Sequence, residues 1–477
     1  MIPHAARAEL RDLLGAEGLA EDEVERACHA YDATPFSPEG TGRVLPDAVA
    51  FPESAEQVGA IVDLARRHGF VLVPRGGGTG MTGGSRPVRG GLVLTFPRMA
   101  RITIDERDLC AVVQPGAVTG RLQAEAEQRG LFYPPDPASK DFCTIGGNLA
   151  ENAGGLRAVK YGVTRDWVLG LDAVLGDGTR LTTGSRAVKS VVGYDMTRLL
   201  VGSEGTLGVI TEARLKLIPL PETRATLAAS FDDVRSAADS VLGLLTARLD
   251  PTALELIDRT CLESVRETLP FPLIDRTRAL LLVELDGGAS DVARRLPAAE
   301  RLCREHGATA SESAADEAGR EALWQARRSI SPALGRISPH KVDEDVAVPR
   351  SRLAELVAGV QDIAARHDLQ CASYGHAGDG NLHVNLLLGE RQPEVLARAE
   401  RAVSEIFDLA LQLGGTLSGE HGIGTAKRIY VARELGAAGI AAARRIKAAF
   451  DPDGILNPGK VLPEPGAGES GDGDDAE

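Results

Sequence analysis

The stretch that decides the fold is Pro74-Arg75-Gly76-Gly77-Gly78-Thr79-Gly80-Met81-Thr82-Gly83-Gly84, which follows an apolar run typical of a β-strand. Six of its eleven residues are glycine, the residue that loses most conformational freedom on folding. Backbone without side chains can present several N–H groups to an anion in one concave loop. The stretch therefore predicts a phosphate-binding loop, with a diphosphate as its natural ligand.

Three of these glycines, Gly78, Gly80 and Gly83, also satisfy the G-x-G-x-x-G pattern of a nicotinamide dinucleotide site. That site needs a helix to begin at once, so that the helix N-terminus faces the pyrophosphate. Here Pro87 and the residues before it break any helix, and a new strand is predicted near Gly91. The pattern disfavours a Rossmann site and leaves loop amides alone to hold the phosphates. A glycine-rich hairpin without a ligand remains the alternative.

The composition is that of a globular protein. The 477 residues are 43% hydrophobic and 25% charged, which suggests two or three domains. The net charge is −15, so nucleic acid is not an expected partner. Residues 464–477 hold six acids and no base, which predicts a disordered acidic tail. We find no signal peptide and no membrane span, so the expected location is the cytoplasm.

The order of predicted elements indicates two α+β units. Residues 9–32 predict an amphipathic helix, and a capping box at Ser54 begins a helix that ends at Gly69. Short β-rich runs separated by glycine turns follow as far as residue 218 and predict a mixed sheet. Pro219-Leu220-Pro221 is the predicted boundary, because it can continue neither a helix nor a central strand. Helices and strands alternate beyond it.

Four further blocks pair small residues with a hydroxyl or an amide, as suits backbone that passes close to a planar ring and a ribityl chain. They are Pro134-Pro135-Asp136-Pro137-Ala138-Ser139, Thr144-Ile145-Gly146-Gly147-Asn148, Asn152-Ala153-Gly154-Gly155, and residues 202–211. Together with the glycine-rich loop, they resemble the FAD-binding oxidoreductases of the vanillyl-alcohol-oxidase type. The chain is most similar to the group of D-lactate dehydrogenases, D-2-hydroxyglutarate dehydrogenases and the glycolate oxidase flavin subunit, over residues 49–462.

This resemblance implies the α+β class and a two-domain flavoprotein, with a mixed-sheet FAD-binding domain and an α+β substrate domain with an antiparallel sheet. The expected segments are a helical prelude (1–43), the FAD-binding domain (44–221), the substrate and metal domain (222–424), a C-terminal segment returning to the FAD domain (425–463) and the tail (464–477). FAD is expected to bind non-covalently, with Cys143 the one candidate for attachment. The implied FAD contacts are Pro74, Arg75, Gly76, Gly77, Gly78, Thr79, Gly80, Met81, Pro135, Asp136, Ser139, Thr144, Gly146, Gly147, Asn152, Gly154, Glu204, Gly208, Val209, Ile210 and Asn457.

Histidines occur in two glycine-flanked motifs of the second unit. In residues 375–385 a histidine on a loop precedes a strand, whose alternation sends His383 and Asn385 to one face. Residues 418–424 add a carboxylate and another histidine. Two histidines and a glutamate are a usual catalytic metal set, although a lone histidine is more often structural. The resemblance implies that His376, His383 and Glu420 bind a divalent ion (Zn, Mn or Fe).

The resemblance also implies how the reaction proceeds. His421 would accept the hydroxyl proton, with the metal assisting, and a hydride would pass to flavin N5. Arg327, in the motif Trp324-Gln325-Ala326-Arg327, would bind the substrate carboxylate, with Ser331 and Asn385 beside it. The lysine found downstream in some relatives has no clean counterpart, since Lys341 looks out of register. Any role for Lys341, and with it a long dicarboxylate substrate, is therefore open.

We accordingly expect FAD-dependent oxidation of a small D-2-hydroxy acid, D-lactate or glycolate first, to the 2-oxo acid. The six cysteines form no C-x-x-C pair, so electrons must pass to a separate acceptor: a quinone, cytochrome, electron-transfer flavoprotein or iron–sulfur subunit. We expect a homo-oligomer or a subunit of a complex. An electron-accepting partner could hold the protein peripheral to the membrane. The alternatives are D-2-hydroxyglutarate dehydrogenase, an O₂-using alcohol or aryl oxidase, a metal hydrolase, and a flavin-binding subunit without catalysis.

Overall fold

The computed structural model describes residues 1–34 and 44–464. The N-terminal region contains α1 (His4–Leu14), β1 (Leu19–Ala20) and α2 (Glu23–Cys28). The sequence predicts one helix over residues 9–32, but two short helices form instead, because Gly15 ends α1 with a φ of 71°. Of the predicted acidic tail, all but Glu464 lies outside the described residues.

The first domain carries the phosphate-binding loop between two parallel strands. Its elements are β2 (Ala48–Ala50), α3 (Ala55–His68), β3 (Leu72–Arg75), β4 (Leu92–Thr95), β5 (Ile102–Asp105), β6 (Cys110–Val113), α4 (Thr119–Glu127), β7 (Leu131–Phe132), α5 (Ile145–Glu151), α6 (Ala158–Tyr161), a 3₁₀ turn (Thr164–Trp167), β8 (Val168–Leu175), β9 (Arg180–Gly184), α7 (Met196–Leu200), β10 (Gly208–Lys216) and β11 (Ile218–Pro219).

These strands form a mixed sheet, an antiparallel sheet and a small pair. The mixed sheet has the order β1-β2-β4-β3, with β4 parallel to both β2 and β3. The antiparallel sheet has the order β5-β6-β10-β8-β9, and β7 pairs with β11. Helix α3 begins as predicted, since Ser54 Oγ accepts from the N–H of Gln57, and it ends at Gly69 in the left-handed conformation.

The second domain is built on one large sheet. Its elements are β12 (Thr223–Phe231), α8 (Val234–Thr246), β13 (Ala253–Asp258), α9 (Arg259–Ser264), a 3₁₀ turn (Arg266–Thr268), β14 (Ala279–Gly287), α10 (Ala289–Glu305), β15 (Ala308–Ala314), α11 (Glu317–Arg328), α12 (Ile330–Ile337), β16 (Lys341–Ala347), a 3₁₀ turn (Arg350–Arg352), α13 (Leu353–Arg366), β17 (Gln370–His376), a 3₁₀ turn (Ala377–Asp379), β18 (Asn381–Leu387) and α14 (Pro393–Gln412).

The large sheet is antiparallel, with the order β15-β12-β14-β13-β17-β18-β16. Helices α8, α10, α13 and α14 pack on it and enclose the largest apolar core, which includes Phe231 and Phe407. The neighbouring strands β17 and β18 carry His376, His383 and Asn385 of the predicted site, between β13 and β16. The sheet therefore fixes the spacing of those side chains.

The C-terminal segment contacts the first domain. Helix α15 (Val431–Phe450) begins before the predicted start near residue 437, and a kink at Gly436, with φ 63°, accounts for the difference. Leu72 N–H donates to Ile455 O, and Asn457 N–H donates to Leu72 O. The last described residues thus extend the mixed sheet beside the phosphate-binding loop.

The α+β class, with a mixed sheet in the first domain and an antiparallel sheet in the second, is confirmed. Within the described ranges, no helix combines the length and the apolar character needed to cross a bilayer.

Candidate active site

The phosphate-binding loop lines a cavity that contains about 1300 Å³ of empty space. Most of the expected cofactor residues lie in its wall: Pro74, Arg75, Gly76, Gly77, Gly78, Thr79, Gly80, Met81, Ser139, Thr144, Gly146, Gly147, Gly154, Glu204, Gly208, Val209 and Ile210. Four separate parts of the first domain therefore converge on one cavity. Its backbone-rich wall suits the diphosphate of a dinucleotide such as FAD.

Close backbone packing explains why glycine occupies the loop. A Cβ atom on Gly76 would lie 2.8 Å from Thr144 Oγ1, and one on Gly77 would lie 2.4 Å from Phe142 O. Gly78 has a φ of 69°, which side chains disfavour. As the sequence predicts, no helix follows the loop before β4 in this described stretch. The loop can therefore offer a ligand backbone amides and no helix N-terminus.

Arg75 fixes the loop through hydrogen bonds to neighbouring segments. Its Nη1 donates to Tyr31 O at 2.6 Å and to Ser85 Oγ at 3.2 Å. Burial lowers the pKa of the guanidinium, although Asp32 partly offsets this effect. The side chain thus ties the loop to the N-terminal region as well as lining the cavity.

Four expected cofactor residues are not part of the cavity wall. Asp136 is buried against Lys140 and Arg157, and Asn152 accepts a hydrogen bond from Arg165 N–H at the end of α5. Pro135 O accepts from Gln123 Nε2, and Asn457 Nδ2 donates to the carbonyls of Gly84 and Glu204. These residues hold the surrounding loops in place rather than facing the cavity.

The expected metal ligands converge in the second domain. Glu420 Oε1 lies 3.2 Å from His376 Nε2 and 3.5 Å from His383 Nε2. The three possible ligand atoms lie within 4.8 Å of one another. Two imidazole nitrogens and one carboxylate oxygen at this spacing fit a divalent ion such as Zn, Mn or Fe, with coordination positions left open.

Glu255, which the sequence did not reveal, supports this set from β13. Its Oε1 lies 2.6 Å from His376 Nδ1, and its Oε2 accepts from Arg327 Nε at 2.8 Å. Arg327 Nη2 lies 2.7 Å from the same oxygen. The structure thus gives Arg327 a partner other than the expected substrate carboxylate. The hydrogen bond to His376 Nδ1 directs Nε2 toward Glu420, as in other histidine metal sites.

Burial and neighbouring charges determine the ionisation of the ligand set. Burial lowers the pKa of His376, but Glu255 and Glu420 outweigh it and raise that pKa well above its ordinary value. Burial and His421 lower the pKa of His383 to about 4. Burial raises the pKa of Glu420, yet His376 and its neighbours bring it down to about 2. A neutral His383 and an ionised Glu420 are the forms that coordinate a metal. The raised pKa of His376 favours its cation, so a metal at Nε2 would have to displace that proton.

Asp345 of β16 fixes the loop that carries Glu420 and His421. Its Oδ2 accepts from the backbone N–H groups of both residues, at 2.8 and 2.9 Å, and from Ser418 Oγ at 3.1 Å. Its Oδ1 lies 3.7 Å from His383 Nδ1. Burial raises the pKa of Asp345, but His421 and Lys427 lower it well below its usual range. A charged, fully buried carboxylate therefore organises the site.

The expected substrate residues Ser331 and Asn385 meet at Lys341, the residue whose register was open. Lys341 Nζ lies 2.5 Å from Asn385 Oδ1 and 3.4 Å from Ser331 Oγ. Asn385 Nδ2 and Asp343 Oδ1 are buried and have no hydrogen-bond partner among the described residues. Unpaired buried polar atoms are costly, so this pocket is suited to a polar ligand.

The two parts of the site adjoin. A Cβ on Gly154, in the cavity wall, would lie 2.8 Å from Glu420 Oε2. His421 and Glu420 both line the cavity, and the rings of His383 and His421 stack with centroids 5.1 Å apart. A molecule bound at the ligand set would therefore contact the cavity directly.

Three acids of the site were not predicted from the sequence: Glu255, Asp345 and Glu151, of which Glu151 lines the cavity. Glu151 lies between the blocks 144–148 and 152–155, so the sequence placed it near the flavin site but did not indicate its role. Glu255 lies 121 residues before its partner His376 and outside any motif. Asp345 lies in the run Asp343-Glu344-Asp345, whose alternation along β16 could have marked an inward acid.

Two family models match separate parts of the chain. Residues 220–461 match the family model described as FAD linked oxidases, C-terminal domain. Residues 46–184 match the model described as FAD binding domain. Residues 185–219 lie between the two matches, and the second match begins at residue 220.

Similar proteins cover nearly the whole chain. Glycolate oxidase subunit GlcD of Bacillus subtilis (strain 168) is 43% identical over 97% of both chains. D-2-hydroxyglutarate dehydrogenase of Stutzerimonas stutzeri (strain A1501) is 35% identical over 87% of this chain and 91% of that one. The crystal structure of p-cresol methylhydroxylase is similar in fold, with a TM-score of 0.80, 18% identity and coverage of 97% and 98%.

Proposed function

The chain belongs to the FAD-linked oxidases as an FAD-dependent oxidoreductase of hydroxy acids, and we propose that it converts a small D-2-hydroxy acid, glycolate or D-lactate first, to the 2-oxo acid. The main support is the place where His376, His383 and Glu420 meet. These side chains lie beside the cavity wall. Glu420 is so near Gly154 that a Cβ atom added there would lie 2.8 Å from Glu420 Oε2. A hydroxy acid held there contacts both the ligand set and the cofactor cavity.

The two bound groups contribute different chemistry. When bound, FAD supplies the acceptor for a hydride from the carbinol carbon, and a divalent ion supplies positive charge beside the substrate hydroxyl. His376 and His383 would bind that ion through Nε2, and Glu420 through a carboxylate oxygen. Glu255 keeps the Nδ1 proton of His376 in place, so Nε2 remains available.

His421 removes the proton from the substrate hydroxyl. Its ring stacks on that of His383 and lines the cavity. Imidazole is well suited to accept a proton near neutral pH. Asp345 holds the His421 backbone, which restricts the ring to this position.

Arg327, Ser331 and Asn385 bind the carboxylate beside the substrate hydroxyl, and Lys341 next to them binds a second carboxylate. Lys341 Nζ donates to Asn385 Oδ1 and lies 3.1 Å from Asp343 Oδ2. Arg327 is likewise paired with an acid, Glu255. A cation one strand from the ligand set also suits a second carboxylate. This placement favours D-2-hydroxyglutarate as the second candidate substrate. The Stutzerimonas stutzeri relative is named as a dehydrogenase of this compound.

Electrons leave to a separate acceptor. All six cysteines are free thiols, and among the described residues the clusters that could hold a metal ion contain no cysteine. A quinone, cytochrome, electron-transfer flavoprotein or iron–sulfur subunit would complete the reaction. The Bacillus subtilis relative is named as a subunit, which supports a partner of this kind.

The deciding experiment is anaerobic bleaching of the flavin spectrum with D-lactate, L-lactate, glycolate, D-2-hydroxyglutarate and an aryl alcohol in turn. We expect bleaching by one D-acid or glycolate, and loss of bleaching after chelation. Bleaching by the aryl alcohol alone would refute the hydroxy-acid proposal. Hydrogen peroxide formed as fast as substrate is consumed would refute the separate acceptor.

A further inference from the structure

Glu151 occupies a position in the flavin cavity that none of the expected roles explains. It is the last residue of α5 and lines the cavity between two glycine turns. A Cβ on Gly84 would lie 2.9 Å from its Oε1, and one on Gly422 would lie 2.2 Å from its Oε2. The backbone of the phosphate-binding loop and of the His421 loop therefore closes around this one carboxyl group.

The side chain of Glu151 lacks the hydrogen bonds that a buried carboxylate needs. Its Oε2 is buried and has no partner in the described part of the chain. Its neighbour Glu204 is different, since its two oxygens accept from the N–H groups of Ile423 and Gly424, each at 2.7 Å. Glu204 is thus a satisfied structural acid, whereas Glu151 has hydrogen-bonding capacity left for a ligand.

The charges that face Glu151 favour its neutral form. Burial, Glu204 of the loop before β10 and Asp32 of the N-terminal region all raise its pKa, and Lys460 of the C-terminal segment opposes them. The result is a pKa well above the ordinary value for glutamate. Two carboxylates packed against one glycine turn would repel each other if both were ionised. A proton on Glu151 removes that repulsion.

We propose that Glu151 is a cofactor-binding acid that donates a hydrogen bond from its neutral carboxyl group to an acceptor atom of FAD. The observations that carry this proposal are its place in the cavity wall, its unpartnered oxygen and the fixed, hydrogen-bonded Glu204 beside it. A neutral donor also suits a ligand with a diphosphate, because a second negative charge near it would weaken binding.

The test measures FAD affinity of the apoprotein by fluorescence titration, so it needs no substrate. We expect Glu151→Ala to weaken FAD binding about tenfold, the loss of one hydrogen bond, and Glu151→Gln to stay within about threefold of wild type because its amide still donates. Glu127→Gln, on the exposed end of α4, is the matched control and should leave affinity unchanged. The melting temperature of each apoprotein checks folding.

The pH dependence separates this role from a packing role. Wild-type affinity for FAD should fall as pH rises through the raised pKa of Glu151, because the carboxyl loses its proton and gains a charge. Glu151→Gln should show a flatter profile. Equal affinities for wild type and Glu151→Ala, or superimposable pH profiles for wild type and Glu151→Gln, would overturn the proposal. If Glu151→Ala does not fold, the profile of Glu151→Gln decides. Neither result depends on which hydroxy acid is the substrate.

Discussion

Glu255 Oε1 lies 2.6 Å from His376 Nδ1, which joins a buried acid of β13 to an expected metal ligand at the end of β17. Glu255 also binds Arg327, so one carboxylate compensates two cationic groups. Burial raises its pKa, but His376 and Arg327 outweigh burial and lower it. The ligand geometry and the position of Arg327 are therefore coupled.

The first prediction concerns this coupling. Glu255→Gln should reduce affinity for the divalent ion about 10- to 100-fold, because the hydrogen bond that orients His376 is weakened. Competition with a chromophoric chelator measures the affinity. Glu263→Gln, on the exposed side of α9, is the control and should bind the ion as wild type does. Unchanged affinity in Glu255→Gln would show that His376 is oriented by its strand alone.

The second prediction tests the base. His421→Ala should slow flavin reduction by the hydroxy acid about 10²- to 10⁴-fold while the protein remains yellow, since the proton acceptor is lost. Anaerobic stopped-flow absorbance gives the rate. His306→Ala, at the exposed end of α10, should reduce at the wild-type rate. Full-rate bleaching in the His421 variant would assign proton removal to another group.

The third prediction concerns substrate length. Lys341→Met should lower kcat/KM for D-2-hydroxyglutarate about 10- to 100-fold more than for glycolate, because a charged hydrogen bond to the second carboxylate is lost. Lys189→Met, in the exposed segment before α7, is the matched control. An equal loss for both substrates would mean that Lys341 contacts the carboxylate they share.

The fourth prediction concerns the phosphate-binding loop. Gly76→Ala should weaken FAD binding at least about tenfold, since its Cβ would meet Thr144 Oγ1 at 2.8 Å and displace the loop. Gly335→Ala in α12 has nothing within 4 Å of its Cβ and should bind FAD normally with a slightly higher melting temperature. Fluorescence titration and thermal unfolding compare the two. Equal FAD affinity in both variants would place the phosphates elsewhere.

The fifth prediction follows from Asp258, whose pKa burial raises from 3.8 to about 6 despite hydrogen bonds from the N–H groups of Cys261 and Ser373. Between the unfolded pKa of about 4 and the folded pKa of about 6, Asp258 keeps a proton in the folded chain that it releases in the unfolded chain. Its contribution to stability is therefore fully present below about pH 4 and is lost as pH rises through about 6. A shift of this size corresponds to about 3 kcal/mol.

Asp258→Asn removes this titration. Its melting temperature relative to wild type should therefore rise between pH 4 and pH 7, on top of a constant cost for the Ser373 N–H that loses its acceptor. Asp239→Asn on α8, an exposed aspartate, should show no such trend. Parallel curves for Asp258→Asn and wild type would contradict the raised pKa.

The features predicted from sequence are those encoded by neighbouring residues. The cap at Ser54, the helix-free glycine loop and the motifs around His376, His383 and Glu420 each occupy one short run. The structure brings those last three side chains together as the resemblance implied. Local pattern is enough here because the geometry of each run depends mainly on its own backbone.

What the sequence could not provide are pairs made by tertiary packing. Arg327 looks like a free carboxylate-binding arginine until β13 places Glu255 against it, 72 residues away in the chain. Lys341 looked out of register from the sequence alone, yet pairing of β16 with β18 brings it opposite Leu387 and near Asn385. Strand pairing, which no single motif encodes, decides both contacts.

The contact between Leu72 and Asn457 has a consequence for biosynthesis. Strand β3 and the phosphate-binding loop leave the ribosome early, but Asn457 and Lys460, which hold the carbonyl of Gly84, are translated some 370 residues later. Proteins are made from the N-terminus at a few residues per second. Until the C-terminal segment is made, the mixed sheet of the first domain lacks its neighbour at β3. We therefore expect cofactor loading only when translation is almost finished, and we expect a prematurely terminated polypeptide to lack a stable flavin site.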